Sequence, residues 1–122
     1  MSFKAVGTDI TLVASGDLSA NQYKVVKLDS NGRSTLAGAS DLAQIGIQQD
    51  KPTALGQPSS VRMAGISKAL AGGTIAIGDR VTSDANGKVI TATTGKQVIG
   101  IALAAAVAND IFAMVIDQRG VV

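Results

Sequence analysis

The sequence predicts a mainly β protein, a small β-barrel or β-sandwich built from an internal duplication, with at most one or two short helical turns. First, short alternating stretches rich in β-branched residues recur between Gly, Asn and Asp punctuation, the pattern of many short strands. Second, all nine acidic residues are Asp, which favours turns and caps, where Glu would suit helix interiors. Third, one unit is written twice. Val26 and Leu28 lead to Asp29-Ser30-Asn31-Gly32-Arg33 and then Ile45-Gly46-Ile47; Val81 leads to Asp84-Ala85-Asn86-Gly87-Lys88 and then Ile99-Gly100-Ile101. The spacing is 55 residues at the Asn-Gly and 54 at the Ile-Gly-Ile.

The elements follow in chain order. Residues 1–14 form an N-terminal arm and first strand, and residues 15–122 a single β domain with two similar halves, about 15–66 and 71–117. Residues 1–9 stand outside both copies; Phe3 and Val6 suit an arm that reaches a neighbour, and the alternative is a frayed terminus. Strands are expected near Ile10–Val13, Tyr23–Leu28, Ser34–Leu36, Ile45–Gln48, Ser60–Ala64, Arg80–Ser83, Lys88–Thr91, Gly100–Leu103 and Ile111–Ile116.

Asn31-Gly32 and Asn86-Gly87 predict tight two-residue hairpins of type I′, since both central residues then need positive φ. Gly46 and Gly100, mid-strand between isoleucines, predict a bulge, a barrel corner or close backbone packing. After each comes a return, Gln48–Ser59 in the first copy and Ala104–Asp110 in the second. These lead to Val61-Arg62-Met63 and Phe112-Ala113-Met114, matched at a spacing of 51. Pro52 and Pro58 make the first return an exposed, ordered loop, while Ala102–Ala108 has the composition for a turn or two of helix. Asp41-Leu42-Ala43 suits a single helical turn.

Composition narrows the function classes. Apolar residues make up 46% but aromatics 2%, so the core must be built from Val, Ile, Leu and Ala. Charged residues are 16%, against about a quarter in ordinary soluble domains, so apolar or neutral surface is left for a subunit or docked protein to hide, ahead of the alternative of a monomer with Ala, Gly, Ser and Thr outside. The eleven Lys and Arg are spread singly, without the clustered cations and stacking aromatics that nucleic-acid binding uses, so no nucleic-acid partner is expected. The absence of His and Cys removes the usual general base and the commonest metal ligands, so no cofactor or metal is expected. Asp9 interrupts the N-terminus before an apolar stretch develops, and the charge-free run Gln97–Asn109 is shorter than the about 20 residues of a membrane span. No secretory signal and no membrane contact are expected.

Candidate chemistry is thin. Asp79 and Asp84 as a base or metal ligands lose to turn chemistry, because Gly78-Asp79 precedes a strand and Asp84 approaches a hairpin. Ser15 and Ser83 lie near Asp17 and Asp84 but have no His to activate them. Ser67 and Lys68 are adjacent on a strand, so they face opposite sides. Gly72-Gly73-Thr74 lacks the Lys-Ser/Thr ending and helix of a phosphate loop and is expected to be a flexible linker between the copies. An enzyme is not expected.

Four stretches carry a resemblance: Tyr23 through Arg33, Ile45 through Pro52, Val61 through Lys68, and Gly78 through Lys88. Over roughly residues 15–117 the chain resembles the capsid cement, or head decoration, proteins of tailed bacteriophages. The resemblance implies a non-enzymatic structural virion protein on the outer surface of the capsid, bridging neighbouring major capsid protein subunits, present in the host cytoplasm during assembly, and self-associating as a homotrimer. The parts of the chain placed best for contact are Phe3, Lys4 and Val6 in the arm and Lys51, Pro52, Leu55 and Pro58 in the first return. The alternative is a small carbohydrate- or cell-surface-binding β module, which the shortage of aromatic platforms disfavours.

Overall fold

The computed structural model describes residues 7–122, all of them strand, bridge, turn or loop and none helical. The strands are β1 (Gly7–Val13), β2 (Val25–Leu28), β3 (Ser34–Leu36), β4 (Gln44–Gln48), β5 (Pro58–Leu70), β6 (Arg80–Ser83), β7 (Val89–Thr91), β8 (Gln97–Ala102) and β9 (Ile111–Val121). They form a curled antiparallel half-barrel in the order β3-β2-β4-β5-β9-β8-β6-β7, with β1 added along β5. The order reads the same from either end once each strand is exchanged for its repeat. The mainly β expectation holds.

The ladders show what the repeat is. β1 pairs with β5 from Val13↔Pro58 to Gly7↔Gly65, and the second half of β5 pairs with β9 from Leu70↔Ile111 to Gly65↔Ile116. A single parallel bridge, Ala14↔Ser34, ties the end of β1 to β3, and Ala71↔Val89 ties the end of β5 to β7. β1 therefore does in the first half what the C-terminal half of β5 does in the second, and β5 serves both. Residues 7–9, expected outside the repeat, lie inside it. The rest of the expected arm, residues 1–6, lies outside the described residues.

Two further expectations are corrected by pairing. Gln48 faces Val61 and Ala102 faces Met114, so the two returns match at a spacing of 53 and not 51. A shift of two residues keeps every side chain on its face, so the period-two alternation could not distinguish the registers. No helix forms at Asp41-Leu42-Ala43, where the Asp41 carboxylate accepts the Ala43 N–H (3.0 Å) in a tight turn. Nor does one form over Ala102–Ala108: Ala106 exchanges backbone hydrogen bonds with Ile75 (2.8 and 3.0 Å), and long-range pairing outweighs an alanine-rich stretch too short to be helical alone.

The Asn-Gly hairpins form, but not as mirror-image turns. Positive φ occurs at Gly32 (75°) and Gly87 (73°) and not at the preceding Asn. Each loop has three residues closed by a glycine bulge. The Asp29 carboxylate accepts the N–H groups of Asn31 and Arg33 (both 2.9 Å), and Asp84 accepts those of Asn86 (2.8 Å) and Lys88 (2.9 Å). Gly46 and Gly100 are close-packing positions, since a Cβ on either would stand 2.1 Å from the carbonyl oxygen of Arg62 or Val115. The register shifts beside both, as expected of a bulge.

The halves share a core but not its chemistry. An apolar cluster including Val81, Val89, Ile99, Ala102, Phe112 and Met114 fills the second half. In the first, the places of Val89, Phe112 and Ala102 are taken by Ser34, Ser59 and Gln48, all fully buried. Ser34 donates to Ser59 (2.8 Å), Ser59 to the Gln48 amide oxygen (3.0 Å), and the Gln48 amide nitrogen to Asp50. A buried polar group is tolerated when bonded, and these are.

Candidate docking surface

The first return is built to be rigid and to show little charge. Gln57 turns its amide oxygen inward to accept the Thr53 N–H (2.6 Å), the Thr53 hydroxyl (3.1 Å) and the Ala54 N–H (3.2 Å). Ala14 then clamps the turn from β1, donating to the Gln57 carbonyl (2.9 Å) and accepting from Gly56 (3.1 Å). Held by these bonds, the turn presents Leu55, 59% exposed, at its tip. Pro58 is exposed and opens β5 opposite Val13, where a proline costs least in a sheet. Lys51 is exposed beside them.

Pro52 does not join this surface. It is buried, and its carbonyl accepts the Leu18 N–H (2.8 Å), pinning the return against the β1–β2 loop. A proline near a turn signalled exposure, but the fold uses its apolar ring as filling. Phe3, Lys4 and Val6 lie outside the described residues. Lys51, Leu55 and Pro58 are exposed along the one return, and Pro58 pairs with Val13, which is 46% exposed. Sequence reasoning missed Val13 because its alternation within a strand does not say which face is covered.

The candidate catalytic groups are used structurally. The Asp79 carboxylate accepts the Ala76 N–H and the Thr91 hydroxyl (both 2.9 Å). Asp17 binds the Ser19 hydroxyl (2.6 Å), and this bond holds its carboxyl below the usual range. Ser67 is buried and bonded to Gln49 (2.9 Å), while exposed Lys68 sits over the Tyr23 ring, so the two face apart. Gly72 is no linker: its N–H donates to Val89 (2.8 Å) as a continuation of β5. Among the described residues no three acidic, His or Cys side chains gather as metal ligands, and no helix is long and apolar enough to cross a membrane.

Electrostatics brace the frame around the surface. Arg62 on β5 makes a two-pronged pair with Asp9 on β1 (2.7 and 3.1 Å) and donates to the Ile66 carbonyl (3.0 Å). The bond to Asp9 raises the Arg62 pKa. On the other side, Asp41 accepts from Lys27 (3.0 Å) and the Gly38 N–H (3.1 Å). Partial burial opposes its ionisation, yet the bonds from Ala43, Lys27 and Gly38 outweigh it and hold the carboxyl below its ordinary value.

The family model for phage cement protein matches residues 4–116. The chain belongs to the phage cement protein family. No curated protein matches it. Among solved structures it is similar to the N base of the head fiber gp8.5 of bacteriophage phi29, with a TM-score of 0.69 and 17% identity over 94% of this chain and 97% of that one. At that identity the likeness shows a shared fold. The family is a structural one, which gives this cement protein a structural role at the phage head.

Proposed function

We propose that this cement protein binds the outer surface of the head and bridges neighbouring major capsid protein subunits, assembling as a homotrimer from a pool made in the host cytoplasm. The supporting observation is the Thr53–Gln57 turn: the Gln57 side chain holds the Thr53 and Ala54 N–H groups, and Leu55 and Pro58 are left for a partner. Burying such a surface removes apolar area from water without stripping solvent from charges. Many copies on one shell then gain from multivalency even where each contact is small. Phe3, Lys4 and Val6 extend the contact, and Lys51 supplies a cation at its rim. In this reading no reaction is catalysed.

The experiment is co-sedimentation of the chain with expanded heads that lack it and with free shell subunits. Saturable binding to heads and none to free subunits is expected; absence of binding to heads would overturn the reading. Removing residues 1–6 is expected to weaken head binding without lowering thermal stability, and undiminished binding would take Phe3, Lys4 and Val6 out of the contact.

A further inference from the structure

We propose that the chain is a bivalent bracket: two similar turns, one carrying Val13, Leu55 and Pro58 and the other Val107 and Ile111, dock on two copies of one apolar surface of the shell. The proposal rests on the head-binding reading and assigns its chemistry to both ends of the molecule.

The second turn, Ala106–Asp110, repeats four bonds of the first at a spacing of 53, counting the Ala71 N–H to the Asp110 carbonyl (2.8 Å) against the Ala14 N–H to Gln57, and differs where the Ala106 N–H goes to Ile75 and that of Thr53 to the Gln57 side chain. Gln57 donates its N–H to Ala54 (3.2 Å), as Asp110 does to Val107 (3.0 Å). The Gln57 side chain accepts the Ala54 N–H, and the Asp110 carboxylate accepts the Val107 N–H (both 3.2 Å). Gly56 donates to Ala14 (3.1 Å), as Asn109 does to Ala71 (2.7 Å), and both stand at positive φ, 91° and 71°.

The two turns share no residue in register, Thr-Ala-Leu-Gly-Gln against Ala-Val-Ala-Asn-Asp, yet each leaves apolar side chains in solvent. Val107 is 56% and Ile111 50% exposed, alongside 59% and 46% for Leu55 and Val13. Leu55 and Val107 stand at adjacent positions of the shared turn, and packing within the chain does not explain side chains that are more than half exposed.

Charge complementarity selects the occupant. The first turn has no ionised side chain; in the second the Asp110 carboxylate is turned back onto its own backbone and the Lys88 ammonium is held at the edge by Asn109 (2.8 Å), so the exposed tips Leu55 and Val107 suit an apolar surface. Area selects between a second copy and the shell. Each end offers a patch of at most a few hundred Å2, short of the roughly 800 Å2 per partner in a stable pairwise complex. One such contact does not hold two free copies together, whereas a shell presents the same surface repeatedly and both ends engage at once. Pro58 and Leu70 are the first and last residues of β5, which sets an upper bound of about 40 Å on the distance between the ends.

The test titrates heads lacking the protein with full-length Leu55→Asp, Val107→Asp and the double variant, with Leu55→Ser and Val107→Ser as milder changes, after circular dichroism confirms folding. Each single Asp variant is expected to raise the half-saturating concentration by roughly 100-fold, the loss of one arm of a two-armed contact, and the double variant to abolish binding. A Val107→Asp or Leu55→Asp protein that titrates like the unsubstituted chain would overturn the bracket while leaving head binding intact. So would an oligomer in solution that dissociates on Val107→Asp, which would assign the tips to contacts between copies. Failure of the unsubstituted chain to bind heads would instead remove the head-binding reading on which the bracket rests.

Discussion

Asp29 and Asp84 each hold two backbone N–H groups that would otherwise face solvent across a tight loop. Replacing either by Ala is expected to cost about 1–2 kcal/mol at roughly 1 kcal/mol per hydrogen bond. Asp84→Ala should cost more, because the Gly87 carbonyl in its loop accepts the Val25 N–H (2.7 Å) and ties the halves together. Equilibrium denaturation of the two variants checks the order, and equal costs would contradict it. These loops also show what the sequence made legible. The Asn-Gly pairs located both hairpins, but the turn type was not readable from them, because the capping Asp lets Asn keep a negative φ. At Asp41, whose folded pKa is lowered, the stabilisation is present above the unfolded carboxylate pKa and is lost as pH falls through the folded value. Asp41→Asn should therefore lower the thermal midpoint at neutral pH and flatten its decline toward pH 3; parallel pH profiles for variant and parent would contradict this. Thr82 makes the opposite case. Its hydroxyl is buried without a hydrogen-bond partner, so Thr82→Val is expected to be neutral or stabilising in the same denaturation assay.

Strands carry the repeat, and here the sequence was most readable. All nine expected strands are present, because short β-branched runs bounded by Gly, Asn and Asp have few alternatives. What could not be read was the sharing of β5. Its N-terminal half closes the first ladder set and its C-terminal half opens the second, the partner changing from β1 to β9 at Gly65, and the sequence of one continuous strand does not mark that change. A Cβ at Gly100 would overlap the Val115 carbonyl, so Gly100→Ala should cost at least about 2–3 kcal/mol by forcing β8 off β9. The unequal interiors give a second expectation at this scale. The first half relies on the Ser34–Ser59–Gln48 chain where the second has Val89, Phe112 and Ala102, and hydrogen-bonded polar groups return less on burial than apolar ones. Amide exchange should be faster in β2–β4 than in β6–β9, and uniform protection would contradict it.

At the scale of the whole molecule, duplication yields two ends with the same backbone and different residues. The low charge of the chain pointed to a hidden surface, and the candidate loop was partly legible: Leu55 and Pro58 are where the sequence placed them, at an exposed turn. The second end was not legible, since Val107 lies in an alanine-rich run whose composition suits a helix and whose strand-like path is set by pairing with Ile75. Only the backbone bonds reveal that Ala106–Asp110 and Thr53–Gln57 are one turn used twice. The most direct test of a cement that bridges is cryo-electron microscopy of heads with and without the protein. The account predicts that each copy adds density spanning two neighbouring shell subunits, with the Leu55 and Val107 turns at its two feet. Density seated on a single subunit, with one turn in solvent, would contradict it.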